Sequence, residues 1–222
     1  MPIVDYLVAR QGLPPRSGLA YDYVLAGDGL YLVSENAHLH VRVPVARCTV
    51  RGLPPAYAEC SLLHGRLPSR CWETMLRAAR CAGAAGREVL LMVGYDATLG
   101  YRVMLPRQMV GPASVHYRPA EDLVMELHSH RDGAARFSRT DTADEQRLRL
   151  YGVVGRLDQP RPQVSLRVGA YGVFLPVPWA SIFDGDPAGV RDGQFDPPDE
   201  EEGTVEHTVL VGGPGDCHGV LD

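Results

Sequence analysis

Three kinds of hydrophobic pattern follow one another along the chain. In the first 65 residues, apolar and polar positions alternate in short runs. Tyr21–Ala26 and residues 30–33 flank Gly27-Asp28-Gly29, and residues 38–43 alternate again. Period two marks strands with one buried face, and Gly-Asp-Gly between two such runs marks a hairpin. A β-meander is therefore expected. Pro44 should end its third strand, residues 45–50 should form a fourth, and Pro54-Pro55 should lie in a loop. The second pattern is helical. Trp72, Met75, Leu76 and Ala79 fall at i, i+3, i+4 and i+7, which predicts a helix near residues 71–80 with a core-packing stripe. Gly83 and Gly86 should stop it. The third pattern is a series of short, nearly continuous apolar runs at residues 88–94, 101–106, 113–117, 122–125, 149–157, 164–169 and 172–177. Such runs predict buried strands. Trp179 to Phe183 should close the unit, with residues 107–112 forming a loop and His116 an ordinary strand histidine.

Past residue 183 the pattern stops. Residues 184–222 are rich in Gly, Pro and acid, and too few are apolar to pack independently, so this tail is expected to be disordered. One short apolar run, 207–211, could add a strand to something. Charge sharpens the boundary. From Asp184 onward there are eleven acidic residues and one basic one, Arg191, against 16 acids and 21 bases before it. An acidic tail can cover a basic surface of its own body, although a solvated tail is the simpler reading. All 22 basic residues are arginine, as GC-rich coding produces. Freedom from lysine-targeted tagging is the sharper explanation.

At 222 residues with 45% apolar content, the chain can bury a core. No apolar run approaches the roughly twenty residues a membrane helix needs. The first five residues lack the basic-then-apolar order of a signal peptide. Cys48, Cys60, Cys71, Cys81 and Cys217 form no Cys-x-x-Cys pair and read as free thiols, so a cytoplasmic location is expected. A mild arginine excess in the body is too weak to point to nucleic acid.

The chemistry is concentrated in one stretch. His128-Ser129-His130 is followed after seven residues by Ser138, and after two more by Asp141. An apolar run leads into it and predicts a strand. Side chains at i and i+2 of a strand share a face, so both imidazoles can aim at one point while Ser129 turns away. Asp141 opens a polar run that resembles a helix start, from which its carboxylate can swing back. Two imidazoles and a carboxylate leave one tetrahedral position for water, as in catalytic zinc sites. This four-residue spacing should arise by chance in roughly one chain in a thousand. Ser138 alone would be a helix cap. Beside a metal it can donate its hydroxyl to a developing oxyanion. Glu88 opens an apolar run. Alone it would be an exposed strand end, but near a metal its carboxylate can take a proton from water and pass it to a leaving amine. Glu126, two before His128, is the competing base. His38-x-His40 lacks the downstream Ser and Asp and reads as a half-exposed strand face. No Pro-Cys-x-x-Cys follows the histidines, which argues against a zinc deaminase.

These residues resemble the JAMM (MPN-plus, or JAB) metalloprotease family. Its motif is an upstream Glu, then His-Ser/Thr-His, seven residues, Ser, two residues and Asp. His128, Ser129, His130, Ser138 and Asp141 match it, and Glu88 in residues 87–94 fits the upstream context. Leu90 and Leu91 replace a usual small residue, and Arg131 stands where many eukaryotic members have Pro. The resemblance covers residues 66–183. It implies an α/β fold, a curved cytidine-deaminase-like mixed sheet flanked by helices, with the metal at one sheet end. Residues 1–65 are then an added β-rich N-terminal subdomain, and residues 184–222 an acidic tail. It further implies a Zn2+ isopeptidase or peptidase cleaving after the C-terminus of a ubiquitin-like protein. His128, His130 and Asp141 would hold the metal, Glu88 would be the base, and Ser138 would stabilise the oxyanion. The chain is similar to the prokaryotic branch, including proteins labelled PRTRC protein A. That branch is encoded with a ThiF-like activating enzyme, a conjugating-like enzyme and a ubiquitin-like protein. The implied setting is bacterial ubiquitin-like conjugation and antiphage defence, away from membranes and nucleic acid. The alternatives are a non-catalytic scaffold for a ubiquitin-like fold, as in metal-less relatives, and a peptidase trimming a sulfur-carrier protein.

Overall fold

The computed structural model describes residues 3–106, 108–110, 115–117, 122–185 and 190–192. Its first sheet contains β1 (Val4–Val8), β2 (Tyr21–Ala26), β3 (Gly29–Glu35), β4 (Leu39–Arg47) and β5 (Glu59–Leu62), in that spatial order. β1 lies parallel to β2, and the rest is the expected antiparallel meander. Pro44 does not end β4. The register shifts between Leu30 and Tyr31, so Tyr31 faces Pro44 while Leu30 faces Ala46. A bulge at this point accommodates a residue without an N–H. Residues 45–47 thus extend β4 instead of opening a new strand.

α1 (Ser69–Ala84) buries Cys71, Trp72, Met75 and Ala79, the stripe its period predicted, and Gly86 follows in the left-handed region. The chain then enters β6 (Leu90–Asp96) and β7 (Gly100–Met104). The separate ribbon of β8 (Gln108–Val110) and β9 (Val115–Tyr117) comes next, where residues 107–112 were expected to be a loop. β10 (Met125–His130), α2 (Arg139–Asp144), β11 (Arg149–Gly155), β12 (Gln163–Ala170), β13 (Val173–Pro176), α3 (Trp179–Ile182) and β14 (Arg191–Asp192) complete the described chain. The second sheet runs β13-β12-β11-β10-β6-β7, with β14 added to β12. Within it β10 and β11 are parallel, and both sheets are therefore mixed. β11 and β12 are buried at every position, which is why they appear as unbroken runs in the sequence.

The two sheets share a core. Leu32, Leu39, Val41 and Val43 of the first belong to one buried cluster with Met75, Leu91, Leu127, Leu166 and Phe183. Polar contacts also join them. Asn36 Nδ2 donates to the Leu148 carbonyl at 2.9 Å, and the Tyr101 hydroxyl donates to Gly65 at 2.6 Å. His38, expected on a half-exposed face, is only 4% exposed, and its Nε2 lies 2.7 Å from Asp122. The molecule is a mixed α/β protein, and no helix among the described residues is long and apolar enough to cross a membrane. Cys48, Cys60, Cys71 and Cys81 are free thiols. The expected tail needs one correction: Val190 is buried in the core and Arg191–Asp192 pair with β12, so the fold reaches past residue 184. Residues 207–211 and Cys217 lie outside the described residues.

Candidate metal centre

β10 alternates as the sequence implied. Met125, Leu127 and Ser129 are fully buried, and Met125 and Leu127 join the core. Glu126, His128 and His130 occupy the other face. The strand register sets three rows across that face. Glu126 pairs with Tyr151 and Tyr151 with Arg167. His128 pairs with Val153 and Val153 with Ser165. His130 pairs with Gly155 and Gly155 with Gln163.

The loop after His130 is fastened to the last of these rows. The Gly155 backbone lies so close that an added Cβ would sit 2.2 Å from the Gly133 oxygen. Arg156 N donates to Gly133 and Leu157 N to Arg131, both at 2.8 Å. Ala135 N donates to Gln163 Oε1 at 2.9 Å, and Ser165 Oγ donates to the Ala135 carbonyl at 2.5 Å. This anchored loop delivers Ser138 to the start of α2. There Ser138 Oγ accepts from Asp141 N at 3.1 Å, and Asp141 Oδ2 accepts from Ser138 N at 2.6 Å, a reciprocal capping box. Ser138 is therefore the helix cap, and its hydroxyl hydrogen is not consumed by that bond. Asp141 Oδ1 is left facing His128 Nε2, 3.6 Å away.

The ligand atoms of His128, His130 and Asp141 all lie within 4.8 Å of one another. His128 Nε2 is buried and has no hydrogen-bond partner among the described residues. Leaving such an atom unpaired costs about 1–3 kcal/mol, so its place beside a carboxylate and a second imidazole suits a cation. His130 Nδ1 lies 3.0 Å from the Ala134 carbonyl. A carbonyl can only accept, so Nδ1 carries the proton and Nε2 keeps its lone pair, the usual second contact of a metal-binding histidine. Burial pushes the His128 pKa down to about 4, helped by His130 and Arg167 and opposed by Asp141. The ring is then neutral at pH 7, as a ligand must be. Burial would raise the Asp141 carboxyl, but His128, the hydrogen bonds from Ser138 and His130 outweigh it and hold it below the usual range. The residues present fit a divalent metal that favours two nitrogens and one oxygen, as zinc does.

Glu88 is half-buried in the connection between α1 and β6 and is not the first strand residue as expected. Burial raises its pKa, with His130 and Arg131 pulling it down and Asp141 adding to the rise. Glu88 is thus within electrostatic range of His130 and Asp141, although it is not one of the three converging residues. Ser129 fixes that arrangement. Its Oγ accepts from Val89 N at 3.0 Å, and its own N–H donates to the Val89 carbonyl at 3.0 Å. The residue after Glu88 is thus pinned to the residue between the two histidines. Ser129→Ala leaves the buried Val89 N–H without its partner, at a cost of about 1–3 kcal/mol. The expected result is a lower Tm in thermal unfolding, and an unchanged Tm would show that this bond does not hold the Glu88 segment to β10.

Beside the centre, in the next row of the same sheet face, lies a buried ionic group that the sequence reading missed. Glu126, the competing base, forms a buried ion pair with Arg149. Arg167 donates to Glu145 through Nε (2.9 Å) and Nη2 (2.6 Å), and through Nη1 to Thr142 Oγ1 (3.3 Å). Its guanidinium lies between the Phe137 and Phe174 rings, 3.8 and 4.0 Å from their centroids. Burial pushes the Glu145 pKa up to about 7, Arg167 pulls it down, and Asp141 and Glu126 raise it further. Arg167 thereby ties α2, the bearer of Asp141, to the sheet. The available signal was an arginine inside each of two apolar runs, since a buried cation requires a partner.

No family model and no curated protein matches the chain. Among solved structures, the solution structure of protein DSY2949 from Desulfitobacterium hafniense is similar over 57% of this chain and 92% of that one, with 15% identity and a TM-score of 0.38. A likeness of that size carries no argument. The fold and site together define a mixed α/β protein with a candidate metal centre at one end of its larger sheet.

Proposed function

We propose that this chain is a zinc-dependent peptidase or isopeptidase of the JAMM type, with a ubiquitin-like protein as its substrate. The observation that carries the reading is the convergence of His128, His130 and Asp141 around a buried imidazole nitrogen that makes no hydrogen bond among the described residues. These three residues would hold the ion. When bound, zinc supplies Lewis acidity that lowers the pKa of water and polarises a carbonyl. Glu88 takes a proton from the attacking water and gives it to the departing amine. Its burial-raised pKa favours such exchange. The Ser138 hydroxyl hydrogen, which the cap leaves available, donates to the carbonyl oxygen as charge develops there. Water adds across the amide, the C–N bond breaks, and a carboxylate and an amine leave.

The substrate class rests on the motif resemblance in residues 88–141. On that basis the scissile amide follows the C-terminus of a ubiquitin-like protein, joined to lysine or to a precursor extension. The ThiF-like and conjugating-like enzymes are the corresponding partners, and the cytoplasm the corresponding location. The test uses the full chain on a ubiquitin-like protein carrying a C-terminal peptide. Cleavage directly after the ubiquitin-like C-terminus, stopped by 1,10-phenanthroline and restored by zinc, is expected. Binding without cleavage by zinc-loaded protein would leave the scaffold reading in its place.

A further inference from the structure

α2, which carries Asp141, is six residues long and buries none of them. A helix this short is marginal in water, and in proteins it draws its stability from packing of an apolar face. α2 turns no such face to the core, so polar contacts must hold it. They come from one column of side chains on β12. Gln163, Ser165 and Arg167 stand at i, i+2 and i+4, on the sheet face that bears His128 and His130. Gln163 and Ser165 grip the near end of the loop through the N–H and the carbonyl of Ala135. Arg167 grips the far end at three points. Its guanidinium lies over the Phe137 ring, donates to Thr142 Oγ1 and binds Glu145, the C-cap residue of α2. Thr142 Oγ1 in turn donates to the Ser138 carbonyl at 3.1 Å. Ser138 and Asp141 therefore lie inside a segment held at Ala135, Phe137, Thr142 and Glu145 by three residues of one strand.

We propose that Arg167 is a positioning residue of the metal centre: by clamping both ends of segment 137–145 it aims the Asp141 carboxylate at His128. It acts through α2 and is not itself a ligand. The clamp needs an arginine for a geometric reason. The planar guanidinium lies between the Phe137 and Phe174 rings while its edge reaches Glu145 and Thr142. A lysine ammonium is a point charge without a plane to stack or a fork to share between two acceptors. Charge alone at position 167 is then not enough to build the centre. The proposal rests on the metal reading of His128, His130 and Asp141 and does not depend on the substrate assigned to them.

Cobalt(II) is the probe, because its visible absorption reports the geometry of its ligands. Full-length wild type, Arg167→Lys, Thr142→Val and Asp141→Ala are titrated with cobalt, and the Tm of each is measured without metal. Arg167→Lys should bind cobalt roughly 10- to 100-fold more weakly. At saturation its spectrum should move toward that of Asp141→Ala. Thr142→Val keeps the guanidinium, removes one hydroxyl link, and should weaken binding by roughly two- to tenfold. It decides the question if Arg167→Lys does not fold. A purely structural arginine would lower Tm on replacement and leave the saturated spectrum alone. Wild-type affinity and spectrum in Arg167→Lys would therefore overturn the proposal, as would wild-type affinity in Thr142→Val should the lysine variant be unfolded. Wild type that takes up no cobalt would overturn the metal reading itself, and the proposal with it, before any variant is compared.

Discussion

On the proposed peptidase reading, Glu88→Gln is expected to lower kcat by about a thousandfold without changing metal uptake. Glutamine preserves the size of the side chain and removes its ability to accept a proton. The ligand atoms of His128, His130 and Asp141 form their cluster without Glu88, so metal content should not change. Position 88 is held by Val89, which is fastened to Ser129 and not by the carboxylate itself, so the backbone should stay in place. KM should move little, because the lost interaction belongs to proton transfer and not to substrate binding. Steady-state kinetics on a ubiquitin-like fusion, with zinc measured on the same sample, separates these effects. Wild-type turnover in the variant would remove Glu88 from the mechanism. Glu126 would not replace it, because its carboxylate is already committed to Arg149 in the buried ionic group.

The second large effect comes from a residue with no chemistry. Gly155→Ala should weaken metal binding by at least about tenfold, as loss of supporting contacts around ligands does. It should also destabilise the metal-free fold by about 1–3 kcal/mol. The added Cβ would meet Gly133 O at 2.2 Å and Ala134 C and Ala135 N at 2.7 Å. All three are backbone atoms and cannot rotate away. The loop must lift, carrying Ser138 and Asp141 away from His128. Gly133→Ala is the matched control, since its nearest contact would be the His130 Cβ at an ordinary 3.6 Å. Denaturant unfolding and zinc titration of both variants test the argument. An unchanged zinc affinity in Gly155→Ala would show that the loop does not depend on this close approach.

The convergence of His128, His130 and Asp141 was legible because the three lie within fourteen consecutive positions, where strand period and helix start act locally. The α1 stripe and the Gly27-Asp28-Gly29 hairpin were legible for the same reason. What escaped depends on partners far along the chain. His38 is buried, and its imidazole meets Asp122, 84 residues away. Ser129 was expected only to turn away, whereas its role is set by a backbone N–H 40 residues earlier. β4 passes through Pro44 because a bulge opposite Leu30 and Tyr31 relieves the missing donor. Arg167 shows its purpose only when α2 folds back over β12 and brings Glu145 to it. The larger sheet is of the mixed kind that the resemblance implied. Residues 1–65, read as an added unit, contribute side chains to the same buried cluster as that sheet.

The most direct test is the zinc content of protein purified without added metal, measured by elemental analysis beside Asp141→Ala. The account requires about one zinc per wild-type chain and its loss in the variant, because Asp141 Oδ1 is the only oxygen among the converging ligands. Wild-type protein that contains no zinc and takes up none on titration would contradict it, and His128, His130 and Asp141 would then be a half-buried polar cluster without a metal.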